Sequence, residues 1–583
     1  MFTWGNPAQR RLSDTGLSHA AARQASGNAI VSTRARSITQ TVSKIEGWGV
    51  QQLQRAPLPN RVHRLFHWLE NHPEWMVALL ASALSITAYA WYSVHGLTLA
   101  YTDAISHMMI ARRVLVSPTP GLAQLGTNWL PLHHMLMLPL IWNYILFHDG
   151  FAGAFPSMVA YVVGTTFMFR TGRLLFSSHT AGCVAALAFA VNPNVLYMQA
   201  TAMTESDMLC ASIVAIYYLL RWAYFYYALD LFKASAAVAA GTLVRYDSWA
   251  LALIAAPLVM YIAWRRGGRV DAESMTILFG ILAFAGCMAW FIYNWAIFHD
   301  PLAFYNGQYS TRTQQQDIQS HGGLPTYYHA GLSFHVYIQA TVDSAGLPIS
   351  VMAFFGLMYW IFRARLKTWV LPGYLVLVPF VFNWVALVRG ISILVTPEIN
   401  FGVPTYFNVR YGMEMIPSIA LFLAFLAIQR RVLLVIALGL VVIFGIGNST
   451  LITRSSTPYV VQDPVYGIGA AGRITGMRAG KWLASHYHGG HVMITYSHDS
   501  AIMFDSGLPI DTFVTEVNGY RFVHALADLQ ASTTWIVISP AGGDNEIEVG
   551  LDKRYGQRWQ QYYNLRTVIS GTQFWALKGT SSP

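Results

Sequence analysis

The chain has 583 residues, of which 54% are hydrophobic and 11% charged, and its mean hydropathy is +0.39. That balance excludes an ordinary soluble domain and points to an α-helical polytopic membrane protein. The net charge of +10 is not read as a nucleic-acid footprint, because Lys and Arg fall mainly between apolar segments, as membrane topology requires. The three cysteines, Cys183, Cys210 and Cys287, each sit inside an apolar run without a paired motif. They read as small core residues and not as disulfides or metal ligands.

Residues 1–70 are polar and basic, with Arg10, Arg11, Arg23, Arg34, Arg36, Lys44, Arg55, Arg61 and Arg64 against few acids. They are expected to form a largely disordered cytoplasmic tail ending in a short amphipathic helix near RVHRLFHWL, with no signal peptide. The basic excess places this end inside, so the first membrane helix, about 76 to 98, carries the chain out. Later spans are expected near 274–296, 369–388, 413–428 and 431–447. Arg265, Arg266 and Arg269, then Arg363, Arg365 and Lys367, mark cytoplasmic turns. Between His299 and about Gly346 a polar outer loop is expected. The middle conflicts with this bookkeeping: spans near 131–148 and 153–170 would put Arg170 and Arg173 outside. One stretch between 131 and 197 is therefore re-entrant or a merged pair, and the total is about 11 to 13 transmembrane helices in a domain covering 71–450.

Residues 451–583 change character and form a small C-terminal extracytoplasmic α/β domain, with helix-like RITGMRAGKWLASHY and strand-like HVMITY, TTWIVIS and TQFWALK. A lid or stability module and an acceptor-binding domain both remain open for it. There is no tandem repeat and no P-loop, which argues against a transporter driven by nucleotide hydrolysis.

The polar residues that could do chemistry gather at the outer ends of apolar segments. In YTDAISHMMIARRV, a helix would set Asp103 and His107 on one side, with Arg112 and Arg113 within two further turns. Met108, Met109, Ile110 and Val114 give it an apolar side suited to the membrane surface. A carboxylate there is costly and so a functional candidate, although it could equally cap the helix, as could Thr102. Asp103 and His107 could also share a divalent metal. Trp129, His133 and His134 open the next apolar segment, either as interfacial side chains or as ligands to a hydroxyl or phosphate. In ATAMTESDML, Thr204 is placed to cap a helix with Glu205 and Asp207 in its first turn, and the same two acids suit paired-carboxylate chemistry. Arg245, Tyr246 and Asp247 recur in pattern as Arg410, Tyr411 and Glu414, with arginines that either snorkel or hold a lipid phosphate.

An acid in the first outer loop, an interfacial helix, the WLPLHH entry, TESD and two Arg-Tyr pairs together resemble the integral-membrane glycosyltransferases of the GT-C fold. The nearest branch is the glycosyltransferase family 39 group of protein O-mannosyltransferases and aminoarabinose transferases. The resemblance covers roughly 76–450 in layout, with specific motifs near 101–134 and 201–207. It implies an inverting transfer at the outer face from a polyprenyl-phosphate-linked sugar to a lipid, glycan or protein acceptor. Asp103 matches the family's catalytic acid, and Glu205 or Asp207 its second acid. Ala104 stands where relatives pair a second carboxylate with the first, and the segment from Trp129 to Leu132 lacks the acidic and basic pair of aminoarabinose transferases, which implies a different donor or acceptor. In this reading Asp103 is the base, Arg245 and Arg410 meet the departing phosphate, and the prenyl tail lies between helices near 350 and 380. The competing reading is a lipid-linked sugar flippase or secondary transporter, for which the same acids and arginines would mark a path across the bilayer.

Overall fold

A computed structural model describes residues 72–307, 310–320, 323–364, 367–397, 406–446, 458–539 and 546–579. The expected tail and the amphipathic helix near RVHRLFHWL lie outside these residues. The described residues from Glu74 onward form one compact unit.

The first helix, α1 (Pro73–Val94), is followed by α2 (Thr102–Val116), which carries Asp103. Next come α3 (Leu132–Ile141), α4 (Tyr144–His148) and the long α5 (Phe151–Phe176). The sequence places spans near 131–148 and 153–170, with one stretch between 131 and 197 re-entrant or merged, and the structure corrects the first of these spans. The Asn143 carboxamide oxygen accepts from the amides of Ile145 and Leu146, so it starts α4 afresh and leaves α3 only 10 residues long. Ten residues rise about 15 Å, half of a hydrocarbon core. A full span between 131 and 148 is thus absent, and Arg173 at the far end of α5 lies 3.8 Å from Glu74 at the start of α1. Arg170 and Arg173 therefore sit at the end of the bundle opposite α2, which removes the conflict in the charge bookkeeping.

The bundle continues through α6 (His179–Ala190), α7 (Pro193–Met198), α8 (Glu205–Phe225), α9 (Ala228–Thr242), α10 (Asp247–Ala283) and α11 (Ala285–Phe298). Helix α10 bends at Gly268, whose φ of 76° only glycine adopts cheaply. After α12 (Ala303–Asn306) and α13 (Thr311–Ser320), the expected polar loop is corrected again: α14 (Ala330–Ala345) is a helix with Ser333, Tyr337, Thr341 and Ser344 buried. Its interspersed Ser, His, Gln and Thr lowered its apolar signal, yet Ser333, Thr341 and Ser344 are buried. Then follow α15 (Leu347–Ala364), a 3-10 segment (Thr368–Leu377) running into α16 (Val378–Val388), a second 3-10 segment (Val409–Met415) running into α17 (Ile416–Ala427), and α18 (Arg431–Ile446). Among the described residues seven helical segments are long and apolar enough to cross a membrane, and four shorter apolar helices accompany them. Close helix approach depends on small residues: a Cβ on Gly356 of α15 would lie 2.0 Å from the Phe422 carbonyl oxygen of α17.

The C-terminal part opens with α19 (Tyr459–Tyr466), which belongs to the helical body: the Val460 amide donates to Asn194 Oδ1 of α7. Helix α20 (Ile468–His486) then leads into a five-stranded sheet of order β2-β1-β3-β5-β4. Its strands are β1 (Val492–Met493), β2 (Phe513–Val514), β3 (Trp535–Ile538), β4 (Tyr563–Ile569) and β5 (Thr572–Leu577), parallel from β2 to β3 and antiparallel beyond. Helix α21 (Tyr496–Ser506) packs this domain on α2, where Ser500 meets Ser106 at 3.0 Å and the Arg113 guanidinium lies 3.7 Å from the Tyr496 ring centre.

Candidate active site

At the end of the bundle that carries α2, a cavity of about 400 Å³ is lined by Asp103, His107, Asn128, Trp129, Glu205 and Arg245. Tyr246, Asp247, Asn383, Asn408, Arg410 and Tyr411 complete its polar wall. The charged side chains arrive at or beside the starts of helical segments. Asp103 and Glu205 sit in the first turns of α2 and α8, Asp247 begins α10, and Arg410 and Glu414 lie on the 3-10 segment before α17. Helix starts favour negative charge, so this end of the bundle can hold a cluster of carboxylates. The 3-10 segment is pressed into place at Gly412, where a Cβ would come within 2.2 Å of the Ala340 carbonyl oxygen.

Glu205 is the hub. Its Oε1 accepts from Arg245 Nη1 and from Arg410 Nε, both at 2.9 Å, and its side chain is fully buried. Arg245 also donates through Nε to Asp247 at 2.6 Å and through Nη2 to Glu414 at 3.2 Å, while Asn383 Nδ2 donates to the other oxygen of Glu414 at 2.8 Å. Arg410 Nη2 donates to Asp103 at 2.8 Å. The Tyr411 ring packs against both guanidinium groups, at 5.2 and 5.4 Å. Asp103 differs from its neighbours in exposure: 41% of its side chain is accessible against none of Glu205's, so Asp103 is the carboxylate a ligand can reach.

Behind Trp129 lies a second buried network. His107, whose ring is 4.3 Å from that of Trp129, shares a 2.8 Å hydrogen bond between its Nδ1 and His134 Nε2, and His133 Nδ1 pairs with Asp207 at 2.5 Å. Burial, then the two neighbouring imidazoles, push His107 well below the usual histidine range and keep it neutral.

The structure thus brings together Asp103, His107, Trp129, Glu205, Arg245, Tyr246, Arg410 and Tyr411 around one cavity. Asp207, His133 and His134 are placed behind it, with Asp207 holding a histidine in place of a ligand. Arg112 donates to the Ile141 carbonyl at 2.7 Å beneath Phe147, and Arg113 to the Gln124 carbonyl at 2.9 Å beneath Tyr496; both brace α2 and neither lines the cavity. Thr204 and Tyr101 occupy the positions just before α8 and α2, but neither makes a side-chain cap. Thr204 Oγ1 instead receives Arg245 Nη1 at 3.4 Å. Among the described residues no group of three or more His, Cys, Asp or Glu side chains is arranged to hold a metal ion. Asp103 accepts from Arg410, and His107 shares its hydrogen bond with His134. The sequence pass did not single out Tyr101, Asn383 or Asp463. Tyr101 could have been found beside Asp103 in YTD, whereas Asp463 follows a composition break that hid its link to this site.

Residues 132–293 match the family described as dolichyl-phosphate-mannose-protein mannosyltransferase. No curated protein matches by sequence. Among solved structures, ArnT from Cupriavidus metallidurans bound to undecaprenyl phosphate superposes with a TM-score of 0.53 at 12% identity, over 87% of this chain and 99% of that one. The Archaeoglobus fulgidus oligosaccharyltransferase in its apo form gives a TM-score of 0.43 at 11% identity, over 88% of this chain and 76% of that one.

Proposed function

We propose that this integral-membrane glycosyltransferase of the GT-C fold moves a sugar from a polyprenyl-phosphate donor to a hydroxyl of a lipid, glycan or protein acceptor, with inversion. The observation that carries the reading is the convergence of one accessible carboxylate, Asp103, with two arginines, Arg245 and Arg410, in a single cavity. A guanidinium pair suits phosphate oxygens, and a carboxylate suits an acceptor proton. The relative solved with undecaprenyl phosphate lends the donor class.

In this mechanism the donor phosphate competes with Asp103 for Arg410. Displacing the 2.8 Å contact leaves the carboxylate free to act as base. The acceptor oxygen attacks the anomeric carbon from the face opposite the phosphate, the bond from that carbon to the phosphate oxygen breaks with its electron pair, and the acceptor proton passes to Asp103. Arg245 and Arg410 stabilise the charge that develops on the leaving phosphate. Glu205 lies between them and fixes their spacing. His107, held neutral, and Trp129 offer a hydrogen-bonding and an aromatic surface to the sugar. The prenyl tail would leave along α16, where Phe382 and Ala386 line the cavity while Val381 and Val385 face outward.

Orientation follows from charge. Arg173, Arg221, Arg265, Arg266 and Arg269 gather at the end away from the cavity, where Arg266 Nη2 donates to the Ala223 carbonyl at the close of α8. The positive-inside rule then puts that end in the cytoplasm, and the cavity and sheet domain on the extracytoplasmic side of what we read as a bacterial inner membrane.

The test uses purified protein in lipid nanodiscs with a panel of polyprenyl-phosphate sugars. Wild type is expected to release polyprenyl phosphate in the presence of acceptor, and Arg410→Ala to raise the donor KM by roughly tenfold or more, as loss of a charged hydrogen bond predicts. Movement of an intact lipid-linked sugar across the bilayer with no glycosidic cleavage would replace this reading with the transporter.

A further inference from the structure

Arg410 has a third carboxylate partner that comes from beyond the membrane-spanning helices. Asp463 of α19 places Oδ2 3.9 Å from Arg410 Nη1, while Asp103 takes Nη2 and Glu205 takes Nε. All three nitrogens of the guanidinium therefore face a carboxylate. Asp463 is 4% exposed and accepts a 3.4 Å hydrogen bond from the Tyr101 hydroxyl, which also donates to the Val460 carbonyl at 3.0 Å. The Tyr101 ring lies beneath Arg410 at 5.1 Å and stacks on Tyr197 at 6.3 Å. Helix α19 is itself pinned by Asn194, whose Nδ2 donates to the Ser344 carbonyl at 2.8 Å. An acid on a segment with this much local fixation holds a defined edge of Arg410.

We propose that Asp463 is a positioning residue of the transfer reaction, fixing the Arg410 guanidinium and sharing its charge so that Asp103 stays available to the acceptor proton. The inference rests on the glycosyltransferase reading and extends the site to a residue beyond the transmembrane helices. Asp463 does not line the cavity, so it acts through Arg410 and not on the substrate.

The groups facing Asp463 are Arg410, Asp103, Tyr101 and, beyond it, Tyr197, with Glu205 on the far side of Arg410. Burial is the main cause that lifts its carboxyl to about 6, opposed by Arg410 and reinforced by Asp103. When Asp463 is ionised, Arg410 is shared three ways and withdraws less charge from Asp103. With Asp463 neutral, Arg410 binds Asp103 and phosphate more strongly, which holds Asp103 back from the acceptor proton and lowers the donor KM. The turnover number should therefore rise with pH through about 6.

The experiment compares wild type, Asp463→Asn and Tyr101→Phe by donor kinetics across pH 5 to 8. Asp463→Asn is expected to lose the limb near pH 6, with kcat falling about three- to tenfold and donor KM falling as well. Tyr101→Phe removes the hydrogen bond that favours the ionised carboxylate, so its limb should move to higher pH. A residue that only supports the fold would lower the yield of active protein and leave KM and the limb in place, and that result overturns the proposal. A structure of Asp463→Ala decides the point without any donor: the Arg410 guanidinium is expected to rotate about its Nε contact to Glu205 and close further on Asp103, and an unchanged guanidinium position overturns the positioning role. Absence of transfer by wild type, with Arg410 displaced in Asp463→Ala, would instead sink the activity and keep the geometric role.

Discussion

Removing Glu205 tests how the cavity holds its charges. Its Oε1 serves Arg245 and Arg410 at 2.9 Å each, and none of its side chain is exposed. Truncation to alanine breaks two buried charged contacts at once, and breaking such a pair typically costs about 3–5 kcal/mol. The lower end applies here. Arg245 keeps Asp247 and Glu414, and Arg410 keeps Asp103 and Asp463, so neither guanidinium is left unpaired. We expect Glu205→Ala to lose about 3 kcal/mol, and Glu205→Gln about half of that because its amide oxygen can still accept. The assay is reversible unfolding of detergent-solubilised protein by titration with a denaturing detergent, followed by tryptophan fluorescence. Transfer should fall in both variants, since the arginines lose their common anchor. A Glu205→Ala protein within about 0.5 kcal/mol of wild type, the range of an ordinary surface substitution, would refute the idea that this carboxylate sets the arginine spacing.

Two further outcomes separate the cavity from its supports. Asp207→Asn should weaken the fold by releasing His133, to which it is bonded at 2.5 Å, yet leave the donor KM near the wild-type value; a large KM rise would return Asp207 to the ligand site. Asp499 in α21 is buried against Ser539, whose hydroxyl it accepts at 2.6 Å, and burial lifts its carboxyl to about 7. A folded pKa above the unfolded value near 4 means that stability is full below pH 4 and is lost as pH rises to about 7. The full swing is about 4 kcal/mol, so the thermal midpoint should be lower at pH 8 than at pH 5, and Asp499→Asn should flatten that difference. An equal slope in the variant would assign the pH dependence to another group.

Much of the architecture was legible because membrane helices announce themselves by apolar length and by the basic residues between them. The α8 start and the two Arg-Tyr pairs were legible for a related reason: charged residues at the ends of apolar runs are too costly to be incidental. What failed did so locally. Asn143 splits an apolar run by hydrogen bonding two amides, a decision that hydropathy does not register. Helix α14 looked like a loop because polar residues sit on its buried side, where Ser333, Thr341 and Ser344 are packed away from water. Arg112, Arg113 and Asp207 carry the same residue types as the cavity wall, and only their direction of departure from the backbone separates bracing from binding. Asp463 was hidden for a topological reason, since a 3.9 Å contact to Arg410 joins segments that lie in different compositional regions of the chain.

The central claim is that Asp103 accepts the proton of the attacking hydroxyl. Asp103→Asn keeps the shape and an oxygen that can receive Arg410, so expression and folding should stay near wild type. Single-turnover transfer from a labelled polyprenyl-phosphate sugar, measured on the purified variant in nanodiscs, is expected to fall by about 10²–10⁴, the usual worth of a general base. Donor binding in the same preparation should persist. Transfer at the wild-type rate in Asp103→Asn would contradict the account at its base and require another group in the cavity to take the proton.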